Sequence, residues 1–152
     1  MNEVIHNIEQ TVRGALPVLR AIPEEDWSFK DSPMKWSKKE IMGHLADSAQ
    51  NNILRFVRSQ YETTPRIIYN QDAWVRLQDY EHYPTEALLL LWEVLNNHLC
   101  RVLRVMPPDH YYKTCNVGKD LAEEHTMLFL AEDYLAHLKH HLSQLAAQAH
   151  RQ

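Results

Sequence analysis

Apolar residues recur at three- and four-residue spacing over four long stretches of the chain, the period of an amphipathic α-helix. In the first stretch, about Asn2 to Arg20, a stripe of Ile5, Ile8, Val12, Ala15 and Leu19 faces a core. Pro17 falls inside this pattern and is expected to bend or end the helix early, because it has no N–H and its ring crowds the preceding turn. A loop from Ile22 to Trp36 follows, punctuated by Pro23 and Pro33. The second helix opens on Ser37-Lys38-Lys39-Glu40, a capping box in which the serine hydroxyl accepts from the Glu40 amide and the Glu40 side chain reaches back. It extends to about Gln60.

Residues 61–84 are irregular, with Pro65 and Pro84, and have room for a short helix from about Gln71 to Gln78. The third helix starts near Thr85, carries Leu88, Leu91, Leu95, Leu99 and Val102 on its buried stripe, and stops at Pro107-Pro108. The fourth is expected to begin at Asp120, with Glu123 completing a second capping box, and to run to about Ala149. No strand signal appears. Four such helices predict an all-α four-helix bundle, with residues 1–152 forming a single domain. The 61–84 connection is longer than packing requires, so it is expected to cross the bundle or cover a site.

Composition narrows the function. Three glycines leave neither a glycine-rich phosphate loop nor many tight hairpins. A net charge of −4 gives no reason to expect nucleic acid as a partner, and no apolar run is long enough to span a membrane. Cys100 and Cys115 have no metal-type spacing and are too few for a disulfide framework, so a reduced, cytoplasmic setting is expected.

Ten histidines are the compositional excess. His137 and His141 lie four apart on the fourth helix, which puts two imidazoles on one face, Cβ atoms roughly 5–6 Å apart. That spacing allows each to place a ring nitrogen on one metal ion. His140 lies about 100° away and is expected to matter little to such a site. Asp133 precedes the pair by one turn and could fix a ligand tautomer, while Gln144 follows on the same side. On the second helix His44, Ser48, Asn51 and Arg55 form one polar line edging an apolar face. Buried without partners, such groups cost a few kcal/mol apiece, so the line either faces solvent or borders a functional cavity. Should helices two and four bring these faces together, His44, His137 and His141 would form a three-histidine metal site with open positions. A histidine pair at this spacing also occurs on plain surface or core helices, and the chain would then be a helical interaction module. His98 is expected to be a core or cavity-lining residue, and Trp74 a cap over a cavity.

The string Trp36-Ser37-Lys38-Lys39-Glu40-Ile41-Met42-Gly43-His44-Leu45-Ala46-Asp47-Ser48 resembles a signature of the DinB superfamily, in the branch of YfiT-like metal-dependent hydrolases. Tyr69 to Trp74 is similar to a tyrosine–tryptophan stretch in that branch's long connection, with Asn70 at a common aspartate. His137 to Gln144 is similar to its H-G-x-H-H-x-x-Q ending, with Leu138 at a frequent glycine. The resemblance implies a four-helix bundle in which His44, His137 and His141 bind a divalent metal, Zn²⁺ or Ni²⁺. It also implies hydrolysis, or transfer of a low-molecular-weight thiol cosubstrate to an electrophile, on a small-molecule substrate in a homodimer. Within that reading Arg55 is a candidate anion anchor, Asn51 a substrate-orienting residue, and Asp47 a base or supporting carboxylate. The alternative is a non-catalytic stress-response protein that binds a metal or small ligand.

Overall fold

The computed structural model, which describes residues 1–147, turns the four periodic stretches into helices α1 (Asn2–Arg20), α3 (Lys38–Arg58), α5 (Thr85–Val105) and α6 (Met127–Ala147). Two short helices lie in the connections, α2 (Glu24–Trp27) and α4 (Gln71–Leu77). Helix α1 packs on α5 and α6, and α3 packs on the same two, which closes a four-helix bundle. The stripe of α1 is buried as Val4, Ile5, Ile8, Val12, Leu16 and Leu19, and each such aliphatic side chain contributes roughly 1.5–3 kcal/mol when taken out of water.

Helix α3 differs from a one-sided amphipathic helix. From Lys38 to Ala49 it is buried almost all the way round, with Glu40 alone only half-buried. The connections explain this, because α2, α4 and the 3₁₀ turn Tyr80–His82 pack on the side of α3 that α5 and α6 leave open. The long connection therefore covers the central helix. Its anchor is Tyr80, whose hydroxyl donates to Asp47 Oδ1 at 2.6 Å while Gln78 Nε2 donates to the same oxygen at 2.8 Å. Asn70 starts α4 by accepting from the Ala73 amide at 3.0 Å. Asparagine and aspartate are nearly equal in that capping role, so Asn70 loses nothing there.

The capping box at Ser37 is present, with Glu40 N donating to Ser37 Oγ at 3.2 Å and Ser37 N donating to Glu40 Oε2 at 2.7 Å. Pro17 does not end α1, which continues to Arg20. The proline sits in the last turn on the exposed side, where water can take the carbonyl that loses its partner.

The expected start of the fourth helix is wrong by seven residues, and a hairpin takes that place. Strand β1 (Thr114–Asn116) pairs antiparallel with β2 (Glu124–Thr126), Cys115 opposite His125. The apparent cap at Asp120–Glu123 fails because Asn116 Oδ1 accepts from both Gly118 N and Glu123 N, at 3.0 and 3.1 Å, folding the segment back. Gly118 is required there: a Cβ would stand 1.8 Å from the Leu121 carbonyl oxygen. The actual cap is Thr126, whose hydroxyl accepts from Phe129 N at 3.2 Å. The expected end of this helix at Ala149 lies outside the described residues. Among those described, no helix is long and apolar enough to cross a membrane.

Two glycines test this packing in opposite directions. A Cβ on Gly43 would meet the Tyr80 ring at 2.1–2.5 Å, whereas one on Gly14 meets nothing within 4 Å. Urea denaturation should show Gly43→Ala losing about 1–3 kcal/mol and Gly14→Ala gaining about 0.5–1 kcal/mol. Equal stability of Gly43→Ala and wild type would contradict the account of how the connection is seated.

Candidate metal centre

His44 lies two turns into α3, 2% exposed, on the side that faces α6. The capping box sets where α3 begins, and Gly43 beside it admits the Tyr80 ring, so His44 turns away from the connection. His137 and His141 come from successive turns of α6, both half-buried. The three rings meet edge to face, with centroids 4.5–5.0 Å apart in every pair. One ligand nitrogen from each lies within 4.8 Å of the others.

His44 Nε2 and His137 Nε2 are 3.0 Å apart. Two nitrogens bonded to one ion at about 2.0–2.1 Å, with about 90–110° between them, are about 2.9–3.4 Å apart. The His44–His137 spacing thus suits a shared coordination sphere as well as the hydrogen bond the two rings make without an ion. Burial, then the neighbouring imidazoles, hold His44 down to about 3 and His137 down to about 4. Burial also lowers His141, against a hydrogen bond to Gln144 that raises it. All three are neutral at physiological pH and offer lone pairs. The donor set thus fits a divalent ion of the imidazole-preferring kind.

Beside this cluster opens a cleft of about 600 Å³ lined by Met34, Lys35, Trp36, Ile41, Asp72, His141 and Gln144. His141 is the histidine that meets it. Trp36 both lines the cleft and lies over His44, ring centroids 5.1 Å apart. The sequence reading gives Trp36 no role at the site beyond its place in the signature string. The signal for Trp36 was its place directly before the cap of the helix that carries His44.

The remaining candidates fall along α3. Asp47 is buried, its Oδ1 taken by Tyr80 and Gln78 and its Oδ2 without a partner. Burial raises its carboxyl, and those two hydrogen bonds oppose the shift. Asn51, also buried, donates through Nδ2 to its own helix at the Asp47 carbonyl, 2.9 Å away. Arg55 is half-buried and donates Nε and Nη2 to the Ile67 carbonyl at 3.3 and 3.2 Å. It enters no salt bridge among the described residues, and burial is the main influence on its guanidinium. Between Asp47 and Arg55 the Tyr69 phenol feels both charges and is pushed up to about 12 by burial.

Two expectations fail. Asp133 is exposed and does not reach the histidines, so His137 Nδ1 stays buried without a partner. His98 is exposed, because Trp92, Asn96, Leu99 and Leu103 take the inward face of α5. Trp74 is half-buried against Tyr69, centroids 5.3 Å apart, and is not among the residues lining the cleft. Neither cysteine competes as a nucleophile, since both are buried, with burial pushing Cys100 up to about 11 and Cys115 up as well.

These electrostatics predict the acid sensitivity of the metal-free protein. Unfolded imidazoles take up protons near pH 6.5, whereas the folded His44 and His137 resist until about 3 and about 4. In between, the unfolded state binds more protons, so stability falls as the pH drops through this window. Urea midpoints measured from pH 7 to pH 4 should decline, and His44→Gln should flatten the decline. The same slope in both proteins would contradict the buried neutral cluster.

The pattern of the DinB superfamily matches residues 7–145. The chain is 27% identical over 160 positions to "Putative metal-dependent hydrolase OB0782" of Oceanobacillus iheyensis, covering 99% of this chain and 87% of that protein. It is 26% identical over 150 positions to "Putative metal-dependent hydrolase YfiT" of Bacillus subtilis, covering 98% and 82%. The solved structure of Bacillus subtilis YfiT, described as a four-helix bundle of unusual topology, shares the fold with a TM-score of 0.87 at 22% identity, over 97% of this chain and 84% of that one. A family match that runs from within the first long helix to within the last and includes all three clustered histidines shows that this chain belongs to the DinB superfamily.

Proposed function

We propose that the chain is a metal-dependent enzyme in which His44, His137 and His141 hold one divalent ion, Zn²⁺ or Ni²⁺, and that it hydrolyses a small molecule or transfers a low-molecular-weight thiol to an electrophile. The observation that carries this reading is the convergence of three neutral imidazoles beside an open cleft that one of them, His141, lines. Three protein ligands leave coordination positions free, the arrangement of catalytic rather than structural sites. The names of the two relatives favour hydrolysis. When bound, such an ion acts as a Lewis acid and lowers the pKa of water or a thiol towards neutrality.

The chain's own residues divide the remaining work. Trp36 and Ile41 give the cleft an apolar wall for the body of a substrate, and Lys35 and Asp72 give its rim one charge of each sign. Arg55 is the anchor for a substrate carboxylate, because its guanidinium is partly desolvated and, although it feels the charge of Asp133, forms no salt bridge among the described residues. It stands three turns beyond His44, roughly 16 Å along the axis before its side chain reaches back. Arg55 does not line the cleft that His141 meets, so a substrate held by both would have to be extended. Asn51 has one amide N–H engaged by its own helix, which leaves its carbonyl oxygen and its second N–H to orient a ligand. Asp47, raised by burial, can keep or release a proton nearer neutrality than an ordinary carboxylate. Two buried, unpaired cysteines accord with a reducing compartment such as the cytoplasm.

The test is turnover. Metal-depleted protein, reloaded with Zn²⁺ or Ni²⁺, is assayed against a panel of esters and amides, and against electrophiles supplied with low-molecular-weight thiols. Reloading should raise the rate at least a hundredfold for one class. His137→Ala should stay inactive with its helix content intact. Arg55→Leu should raise KM for carboxylated substrates about tenfold or more, with little change in kcat. A fully loaded protein that turns over nothing would instead support non-catalytic binding.

A further inference from the structure

Of the three clustered histidines, only His141 has its second ring nitrogen held by the protein. His44 Nδ1 and His137 Nδ1 are buried without a partner. His141 Nδ1 lies 2.9 Å from Gln144 Oε1, and the nitrogen of that same carboxamide, Gln144 Nε2, lies 3.1 Å from His140 Nε2. The spacing follows from the helix: Gln144 is three residues beyond His141 and four beyond His140, so one side chain reaches both rings.

A carboxamide has one accepting end and one donating end, so these two contacts are not independent. With the oxygen on His141, Nδ1 carries the proton and Nε2 presents its lone pair to the cluster. The amide N–H then needs an acceptor, and the unprotonated Nε2 of His140 supplies it. Turned over, the amide would donate to His141 Nδ1, force the proton onto His141 Nε2, and aim an N–H at the position a metal requires. His140 therefore bears on which tautomer its neighbour adopts, although it offers no ligand atom itself.

We propose that Gln144 and His140 act as positioning residues, a two-step hydrogen-bond relay that locks His141 in its Nδ1–H tautomer and makes it the preorganised ligand of the site. This differs from the expectation that His140 matters little. The relay's consequence for metal affinity rests on the three-histidine reading above, but the tautomer does not, and the two are measured separately.

The first measurement is imidazole ¹⁵N NMR of the metal-free wild-type protein at pH 8. His141 should appear as the Nδ1–H tautomer with a bare Nε2, and as a mixture in Gln144→Leu and in His140→Ala. The second is Zn²⁺ affinity by competition with a chromophoric chelator. Gln144→Leu should weaken it about 10- to 100-fold and His140→Ala about tenfold, as for the loss of other groups that orient a ligand. Gln144→Glu keeps an acceptor on His141 and should restore both the tautomer and most of the affinity. Circular dichroism checks that each variant folds. An Nε2–H tautomer at His141 in the wild type overturns the proposal, whatever the variants do. So does unchanged Zn²⁺ affinity in Gln144→Leu when His44→Ala abolishes binding. If His44→Ala instead binds as tightly as wild type, the three-histidine reading fails while the tautomer result still decides the relay.

Discussion

Three neutral imidazoles share one partly buried volume, and the rest of the fold is arranged to keep them there. A charged imidazolium among two others in a desolvated site is strongly disfavoured, which is why burial leads the causes that lower all three. Neutral rings still require partners for their polar atoms. His44 and His137 meet this through one 3.0 Å contact between Nε2 atoms, in which a single proton serves two nitrogens, and leave both Nδ1 atoms unpartnered. A cation drawn to lone pairs serves the Nε2 atoms better than a shared proton does, since it can accept from every ring at once.

The scaffold's contribution is coverage of α3. A four-helix bundle buries one face of each helix, but His44, Asp47, Ser48, Asn51 and Asn52 all need shelter on the central one. The long connection supplies it through the Tyr80 ring seated over Gly43 and the hydroxyl fixed on Asp47. It also carries the 64–67 segment to β1, where Ile67 N donates to Asn116 O and Asn116 N donates to Pro65 O. The hairpin and the connection are thus tied together, and the Ile67 carbonyl between them holds Arg55.

Helix period and capping chemistry made the bundle and the histidine cluster legible in the sequence. The spacing of His137 and His141 and the place of His44 at the head of a polar line depend only on helical angles, which tertiary packing leaves unchanged. The failures are equally specific. Helical angle says which way Asp133 points but not what stands opposite, and it faces water. Asp120–Glu123 has the spacing of a cap, yet the Glu123 amide is claimed by Asn116 Oδ1 seven residues earlier, a long-range preference that no local pattern encodes. Strands of three residues are too short to show a period. The burial of α3 on nearly every side was foreshadowed only by the length of the connection that covers it.

The central claim is that one ion is held between α3 and α6 by side chains from both. The most direct measurement is the metal content of tag-free protein after loading with Zn²⁺ and desalting, alongside His44→Ala treated identically. The account predicts close to one equivalent in the wild type and none in the variant, with the same helix content in both. No metal in the wild type, or equal metal in the two, would contradict it.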